Sequence, residues 1–244
     1  MDFFTYILHV LGSGAGAYVS ARNMRDRQTI PNMLAGLQLS ESGAVPFLEN
    51  LSQRAATEGD NWLAEKLARH AADERRHGQI FAHALKQLNK QVIDFKSLPK
   101  SDKNKRSPFF EAYFQGYLPE DLKPEKIDWT VFMASTYILE LDASKDFVLM
   151  ANALPDDPIS ANIRKGMLSV AKDETGHAAY LYEALEHRLS PLQIPQVVGE
   201  WRKRKVNALF AMVGNLVEKG GKINNLVRDG VPSEMESEVE LVAS

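Results

Sequence analysis

The chain has 244 residues, of which 44% are hydrophobic, and its formal net charge at pH 7 is −3. This length and composition predict one sizeable core, most simply a single domain, and the slightly acidic balance provides no overall basic field for nucleic acid. Because the chain has no cysteine, disulfides, iron–sulfur clusters, thiolate zinc sites and cysteine nucleophiles are excluded. Any metal must therefore be bound through oxygen and nitrogen.

The N-terminal segment, from Phe3 to about Met24, is predicted to form an additional helix. Its glycine-rich run at 12–16 does not match the dinucleotide-binding fingerprint, so no nucleotide role is expected. The start of the chain lacks a basic region, and His9 and the glycines interrupt its apolar stretch. We therefore expect a cytoplasmic protein without a transmembrane segment.

Four long helices are predicted from apolar residues that recur with helical spacing. The first two cover 31–56 and 60–89, and the third and fourth begin at Asp128 and Pro158. Pro46 lacks a backbone donor, so we expect a kink in the first of these helices.

On each of the four predicted helices, the face that carries the apolar residues also contains potential metal ligands. A carboxylate on a face that is predicted to be buried needs a partner, because an unpaired buried charge is costly. The residues concerned are Glu41 in the first helix, Glu74 and His77 in the second, Glu140 in the third, and Glu174 and His177 in the fourth.

The turns between these helices predict that the ligands lie at matching heights. Glu41 and Glu74 are equidistant from a turn-like stretch at 57–60, and Glu140 and Glu174 are equidistant from Asp157. In an antiparallel hairpin, residues equidistant from the turn lie side by side. The two hairpins are therefore predicted to form a structural repeat related by a pseudo-twofold axis.

The segments outside the hairpins are predicted from composition and spacing. Residues 90–127 are polar and proline-rich, and they are long enough for a crossover that runs the height of a bundle. Residues 196–219 form another amphipathic helix with a basic run at 202–205, and the acidic tail at 231–244 is expected to be disordered. Within the crossover, a short helix is expected to pack its aromatic side chains on the bundle: Phe109, Phe110, Tyr113, Phe114 and Tyr117.

The spacing of the polar residues predicts a dinuclear metal site. Residues three apart lie on one helix face, so a Glu-x-x-His pair can offer an oxygen and a nitrogen to one ion. The chain contains two such pairs, Glu74/His77 and Glu174/His177. With Glu41 and Glu140 they provide four carboxylates, which balance two divalent cations, whereas four buried carboxylates without cations would be strongly destabilising.

This pattern resembles the ferritin-like diiron carboxylate superfamily, which uses a Glu and a Glu-x-x-His in each half. The resemblance covers about residues 31–190, and the stretch Asp-Glu-Arg-Arg-His-Gly at 73–78 is similar to a motif of bacterial multicomponent monooxygenases and acyl-carrier-protein desaturases. The second motif departs from it, with Gly176 in place of the arginine. The resemblance implies two iron ions, bridged by Glu74 and Glu174, with the other four ligands terminal.

The fold that the resemblance implies is all-α. It is a ferritin-like four-helix bundle with a long crossover between helices 2 and 3, plus flanking N- and C-terminal helices. A single domain would cover residues 1–230, followed by the tail at 231–244.

The resemblance also implies roles for residues around the ligands. Asp73 and Asp173 would each accept a hydrogen bond from the histidine of the opposite half. Arg75 and Arg76 are expected to pair with nearby acids.

Three further polar residues lie one helical turn from a ligand. Tyr137 and Tyr180 could reach the site, but ordinary core packing is the stronger expectation. His70, one turn before Glu74, is expected to be structural or solvated rather than a ligand.

Two adjacent ferrous ions can give dioxygen two electrons together, so the expected function is a dioxygen-activating oxidase or oxygenase. Its substrate would be small and hydrophobic or acyl-like. Without an internal iron–sulfur relay, turnover would require an external electron donor such as a ferredoxin or a reductase. The apolar residues expected to contact the substrate are Leu37, Phe81, Met133, Phe147 and Met167.

Several alternatives stay open at the level of the sequence. A manganese catalase has a similar ligand pattern, some superfamily members hydroxylate tRNA, and ferritin-like iron storage would require a large closed shell. A non-catalytic helical interaction protein is a further hypothesis.

The basic run at 202–205 could dock an acidic carrier, a ferredoxin, a membrane surface or tRNA, although such runs are usually solvated. Iron and manganese both suit the ligands, and the oligomeric state is open, with a homodimer as one option.

Overall fold

A computed structural model of the chain describes residues 20–93, 107–218 and 225–230, and these are mostly helical. Residues 20–25 are helical. The all-α class is confirmed. The further elements are helices α1 (Ile30–Thr57), α2 (Asn61–Gln87), α3 (Pro108–Tyr113), α4 (Trp129–Ala153), α5 (Pro158–Glu186) and α6 (Gln193–Glu218), a 3₁₀ turn at Pro119–Leu122, and strands β1 (Lys90–Val92) and β2 (Val227–Asp229).

Some predicted segments lie outside the described residues. These are most of the N-terminal helix that begins at Phe3, residues 94–106 of the crossover, and the tail at 231–244. Within the described ranges, every helix is too short or too polar to span a lipid bilayer.

The long helices form two hairpins. α1 packs along α2, α4 packs along α5, and α2 contacts α5. The predicted starts are confirmed, since Asp60, Asp128 and Asp157 each accept a hydrogen bond from the backbone N–H three residues later. α1 continues through Pro46, which is exposed.

The core consists of two apolar clusters with a polar layer between them. One cluster contains Leu51, Leu67 and Phe132, and the other contains Leu34 and Phe81. Each long helix passes from one cluster to the other, and the predicted ligands lie at the crossing point. The side chains of two hairpins therefore meet in one buried layer.

The crossover and α6 close one side of the molecule. α3 packs on α6, where Tyr113 is fully buried against Trp201 and donates a hydrogen bond to the carbonyl oxygen of Ser135 at 2.8 Å. The predicted packing of the aromatic side chains is confirmed except at Phe110, which is 44% exposed. The apolar face predicted for α6 is only partly buried, because Val206 is covered whereas Val217 is 73% exposed.

The basic run at 202–205 is not the free surface that its sequence suggests. Lys205 is buried and donates to Asp142 Oδ2 at 2.7 Å. Arg204 donates to the carbonyl oxygen of Gln115 at 2.9 Å and lies over the rings of Tyr117 and Trp201. Two of the four basic residues at 202–205 therefore bind α6 to the rest of the molecule.

We expect Lys205→Met to lower the free energy of unfolding by about 3–5 kcal/mol, because it leaves Asp142 buried without its cation. The matched control is Lys203→Met, two residues earlier, at an exposed position of the same helix. Urea denaturation of both variants measures the difference. Equal effects would show that the buried pair does not stabilise the docking of α6.

A short antiparallel ribbon was not predicted. β1 pairs with β2, with Lys90 opposite Asp229 and Val92 opposite Val227. The ribbon returns the described end of the chain to the end of α2.

Gly166 allows α5 to approach α2 closely. A Cβ atom at this position would lie 2.7 Å from Cγ2 of Ile80, which is closer than such atoms pack. Because Ile80 is β-branched, its methyl group has little freedom to move away. The small residue therefore sets the spacing between the hairpins.

We expect Gly166→Ala to reduce the free energy of unfolding by about 1–3 kcal/mol, as overpacking does in other cores. At Gly199 in α6 an added Cβ meets nothing within 4 Å. Gly199→Ala should be neutral or stabilising by up to about 1 kcal/mol, because alanine favours helix. Thermal or chemical denaturation distinguishes the two, and equal stability of the variants would contradict the close-approach account.

Candidate metal centre

The six predicted ligands come together in the buried layer, and His70 joins them. Their donor atoms form two groups of four, and within each group all atoms lie within 4.8 Å of one another. One group contains Glu41, Glu74, His77 and Glu174, and the other contains His70, Glu74, Glu140 and His177.

The separations between donors fit those of ligands that share an ion. Nδ1 of His77 lies 3.2 Å from Oε1 of Glu174 and 3.6 Å from Oε2 of Glu41. Nδ1 of His177 lies 3.4 Å from Oε2 of Glu174 and 3.8 Å from Oε2 of Glu140. With metal–ligand bonds of about 2.0–2.2 Å, two donors on one ion are roughly 3–4 Å apart.

Two buried atoms in this layer have no hydrogen-bond partner among the described residues. They are Nδ1 of His77 and Oε1 of Glu174, which face each other without hydrogen-bond geometry. Buried polar atoms are nearly always paired, so such atoms require an explanation. A cation between them would satisfy both, and the residues present therefore fit a bound metal.

The outer nitrogens of the two histidines are held by aspartates from the opposite hairpin. Nε2 of His77 lies 3.3 Å from Oδ2 of Asp173, and Nε2 of His177 lies 3.4 Å from Oδ2 of Asp73. The predicted crossed pairs are present, and they favour the tautomer that directs the Nδ1 lone pair inward. Arg76 donates to Asp173 at 2.5 Å and to Asp73 at 3.1 Å, so one arginine serves both halves.

The expected pairing of Arg75 with an acid is also present. Its guanidinium donates to Oε1 of Glu49 at 2.5 Å. Both side chains are about half exposed, so this pair belongs to the surface of the hairpin.

Burial and mutual repulsion shift the pKa values of the clustered groups. Burial raises the pKa of Glu41 to about 9, and burial together with the charge of Glu174 raises the pKa of Glu140 well above its usual range. Burial alone would lower the pKa of His77, but contacts with Glu174 and Glu41 raise it to about 10. Without cations, Glu41 and His77 therefore retain protons at neutral pH. Burial alone would raise the pKa of Glu174, but hydrogen bonds with Glu140 and the two histidines of the Glu-x-x-His pairs lower it, so this carboxylate stays ionised.

His70 is the ligand candidate that sequence reasoning missed. It is 2% exposed, and its Nε2 atom lies 3.1 Å from Oε1 of Glu74. Burial holds the pKa of His70 well below its usual value, so the ring is neutral. Its position four residues before Glu74, on the same helix face, was the available signal.

The two tyrosines considered from the sequence have different surroundings. The hydroxyl of Tyr180 lies 2.7 Å from Nδ1 of His70 and so adjoins the cluster. The ring of Tyr137 packs against Tyr182 instead. Ordinary packing is therefore confirmed for Tyr137 alone.

A cavity of about 620 Å³ adjoins the clustered residues. Its floor includes Glu41, His70, Glu74, Glu140 and Glu174. The remaining wall comes from α1, α4 and the crossover and is mainly apolar: Ala44, Phe47, Leu48, Phe110, Phe114, Leu122, Ile127, Phe132, Leu139 and Ala143.

The residues expected to contact a substrate are not those that line this cavity. Phe81, Phe147 and Met167 pack inside the second apolar cluster, and Leu37 packs against it, whereas Met133 belongs to the first cluster. Helical spacing identified buried positions correctly except at Leu37, which is partly buried, but it could not show on which side of the polar layer the packing is incomplete.

Comparison of the chain with protein-family models, curated proteins and solved structures finds no match.

We expect the stability of the metal-free protein to fall as pH rises from about 6.5 to 9. In this window the folded state binds more protons than the unfolded state, because the pKa of Glu41 is raised from 4.5 to about 9 and that of His77 from 6.5 to about 10. Each extra proton contributes up to about 1.4 kcal/mol per pH unit. Urea denaturation after dialysis against a chelator measures the slope.

Glu41→Gln is the matched variant for this prediction, because it removes one of the protons and should make the slope shallower. Stability that is constant or increases over this pH range would contradict the proposed charge state of the layer.

Proposed function

We propose that this protein is a ferritin-like, dioxygen-activating non-haem diiron oxidase or oxygenase that acts on a small hydrophobic or acyl-like substrate. The observation that carries the proposal is the pair of buried four-donor clusters, which share Glu74 and face a mainly apolar cavity. The two hairpins and the long crossover between them also suit a ferritin-like bundle.

The arrangement supports the division of the six predicted ligands between two ions. Glu41 and His77 would bind one ion, and Glu140 and His177 the other. Glu74 belongs to both clusters. The two carboxylate oxygens of Glu174 also lie near different histidines, Oε1 near His77 and Oε2 near His177. Both acids are therefore suited to bridge the ions.

Two bound ferrous ions would supply electrons for the reduction of dioxygen. The protein contributes positioning and exclusion of water. Asp73 and Asp173 fix the orientation of the ligand histidines, and Arg76 holds both aspartates. The apolar clusters on both sides of the layer shield the carboxylates from water except where they border the cavity.

The cavity favours an organic substrate over peroxide. Its volume of about 620 Å³ suits a small molecule, and its apolar wall would retain a hydrophobic group against the metal ligands. Polar contacts from Ser40, Ser107, Ser135 and Thr136 could orient a head group. Because the chain has no cysteine, the electrons for repeated turnover would come from a separate ferredoxin or reductase.

The proposal is tested by elemental analysis of natively purified protein, followed by anaerobic ferrous loading and exposure to oxygen. We expect about two irons per chain, oxygen consumption and an optical change on mixing. Glu74→Ala should abolish all three, because Glu74 contributes to both clusters. The matched control is Glu65→Ala on the same helix, where the side chain is 79% exposed.

Other outcomes would redirect or reject the proposal. Failure to bind metal, or bound iron without any reaction with oxygen, would reject it. Tightly held manganese with rapid breakdown of hydrogen peroxide would indicate a catalase. Assembly into a large closed shell that accumulates iron would indicate storage.

A further inference from the structure

His70 lies where a metal ligand would lie, although it is outside both Glu-x-x-His pairs. Its Nε2 atom is 3.1 Å from Oε1 of Glu74 and 3.6 Å from Oε1 of Glu140. These separations fall in the range of roughly 3–4 Å expected for donors on one ion. The ring stacks on His177, with 3.7 Å between centroids, so both rings approach the same carboxylates.

The other half of the molecule has no such residue. Equivalent positions in the two motifs differ by 100 in number, as Glu74 and Glu174 do. The equivalent of His70 is Val170, and the equivalent of Tyr180 is Ile80. Val170 is fully buried in the second apolar cluster, with Ile80 packed against the same cluster.

Apolar residues therefore occupy these positions in one half, and a buried, hydrogen-bonded polar pair occupies them in the other. Burying polar groups costs free energy unless they are satisfied, so packing alone does not account for His70 and Tyr180.

Tyr180 is placed to support coordination by His70. Its hydroxyl lies 2.7 Å from Nδ1 and can accept a hydrogen bond from Nδ1–H. In that tautomer the Nε2 lone pair is free for a metal, and the ring orientation is fixed by the contact.

We propose that His70 is a seventh ligand, which binds through Nε2 to the ion held by Glu140 and His177. This inference rests on the proposed function, since it assigns a further residue to the same centre. The two metal positions then differ chemically. One ion has two histidine ligands, His70 and His177, whereas the ion beside Glu41 has only His77.

The test is a titration of the metal-free protein with Co²⁺, followed by calorimetry and by the visible absorption of the bound ion. Wild-type protein should bind about two ions per chain. His70→Gln keeps a hydrogen-bond donor for Glu74 but loses the imidazole. We expect this variant to retain one site and to weaken the second by more than about 100-fold, beyond the 10- to 100-fold effect of losing a group that only supports a ligand.

Two further variants separate coordination from positioning. Tyr180→Phe should weaken the same site by no more than about 100-fold, because it removes only a supporting contact. His70→Ala should regain the second site and its absorption when imidazole is added, since His70 lines the cavity. Circular dichroism checks that each variant is folded.

Wild-type binding of both ions by His70→Gln would overturn the inference, because His70 would then only orient Glu74. Equal weakening of both ions would also overturn it, since Glu74 belongs to both clusters. Failure of wild-type protein to bind Co²⁺ would instead reject the metal centre itself, and with it both proposals.

Discussion

The burial of four carboxylates between two apolar clusters is the constraint on which the rest of this structure depends. A buried carboxylate must either lose its charge by gaining a proton or acquire a cationic partner, because the interior does not solvate it. In the metal-free state the layer does so with protons, as the raised pKa of Glu41 shows. A pair of divalent cations would replace those protons and bind the atoms of His77 and Glu174 that lack partners. The proposed chemistry and the stability of the fold thus involve the same groups.

The histidines are oriented by residues that reach across from the opposite hairpin. Asp173 contacts His77, Asp73 contacts His177, and Arg76 joins the two aspartates. Each of these two histidines is therefore positioned by both halves of the molecule. A change in how the hairpins pack, for example at Gly166, should alter the site as well as the stability. The cavity is lined by proposed ligands of both ions, Glu41 for one and His70 and Glu140 for the other, so both proposed metal positions adjoin it.

Much of this arrangement could be predicted from the sequence because it follows from local rules. Asp60, Asp128 and Asp157 begin helices as N-caps, and the spacing of Glu74 and His77 places both on one face. What could not be predicted depends on contacts between distant segments. Lys205 looked like part of a solvated basic run, but it is neutralised by Asp142, 63 residues away. The ribbon of β1 and β2 likewise joins segments with no local signal for pairing.

The role of His70 in the site also depends on contacts between distant segments, which the sequence does not reveal. One residue in helical register with Glu74 gives a weak signal, since a lone histidine on a buried face is commonly structural. Its significance comes from Tyr180 and Glu140 on other helices, which only the fold brings to it. Of the five apolar residues named from periodicity, four are buried and Leu37 is partly buried, yet the cavity is formed by α1, α4 and the crossover. Periodicity reports which face is buried and not where space is left.

The most direct test of the central claim is a crystal structure of protein loaded anaerobically with ferrous iron, with anomalous diffraction recorded at the iron absorption edge. The account predicts two anomalous peaks about 3.5–4 Å apart, both within bonding distance of the carboxylates of Glu74 and Glu174. Iron bound only at the surface, or a buried layer that stays free of iron, would contradict it.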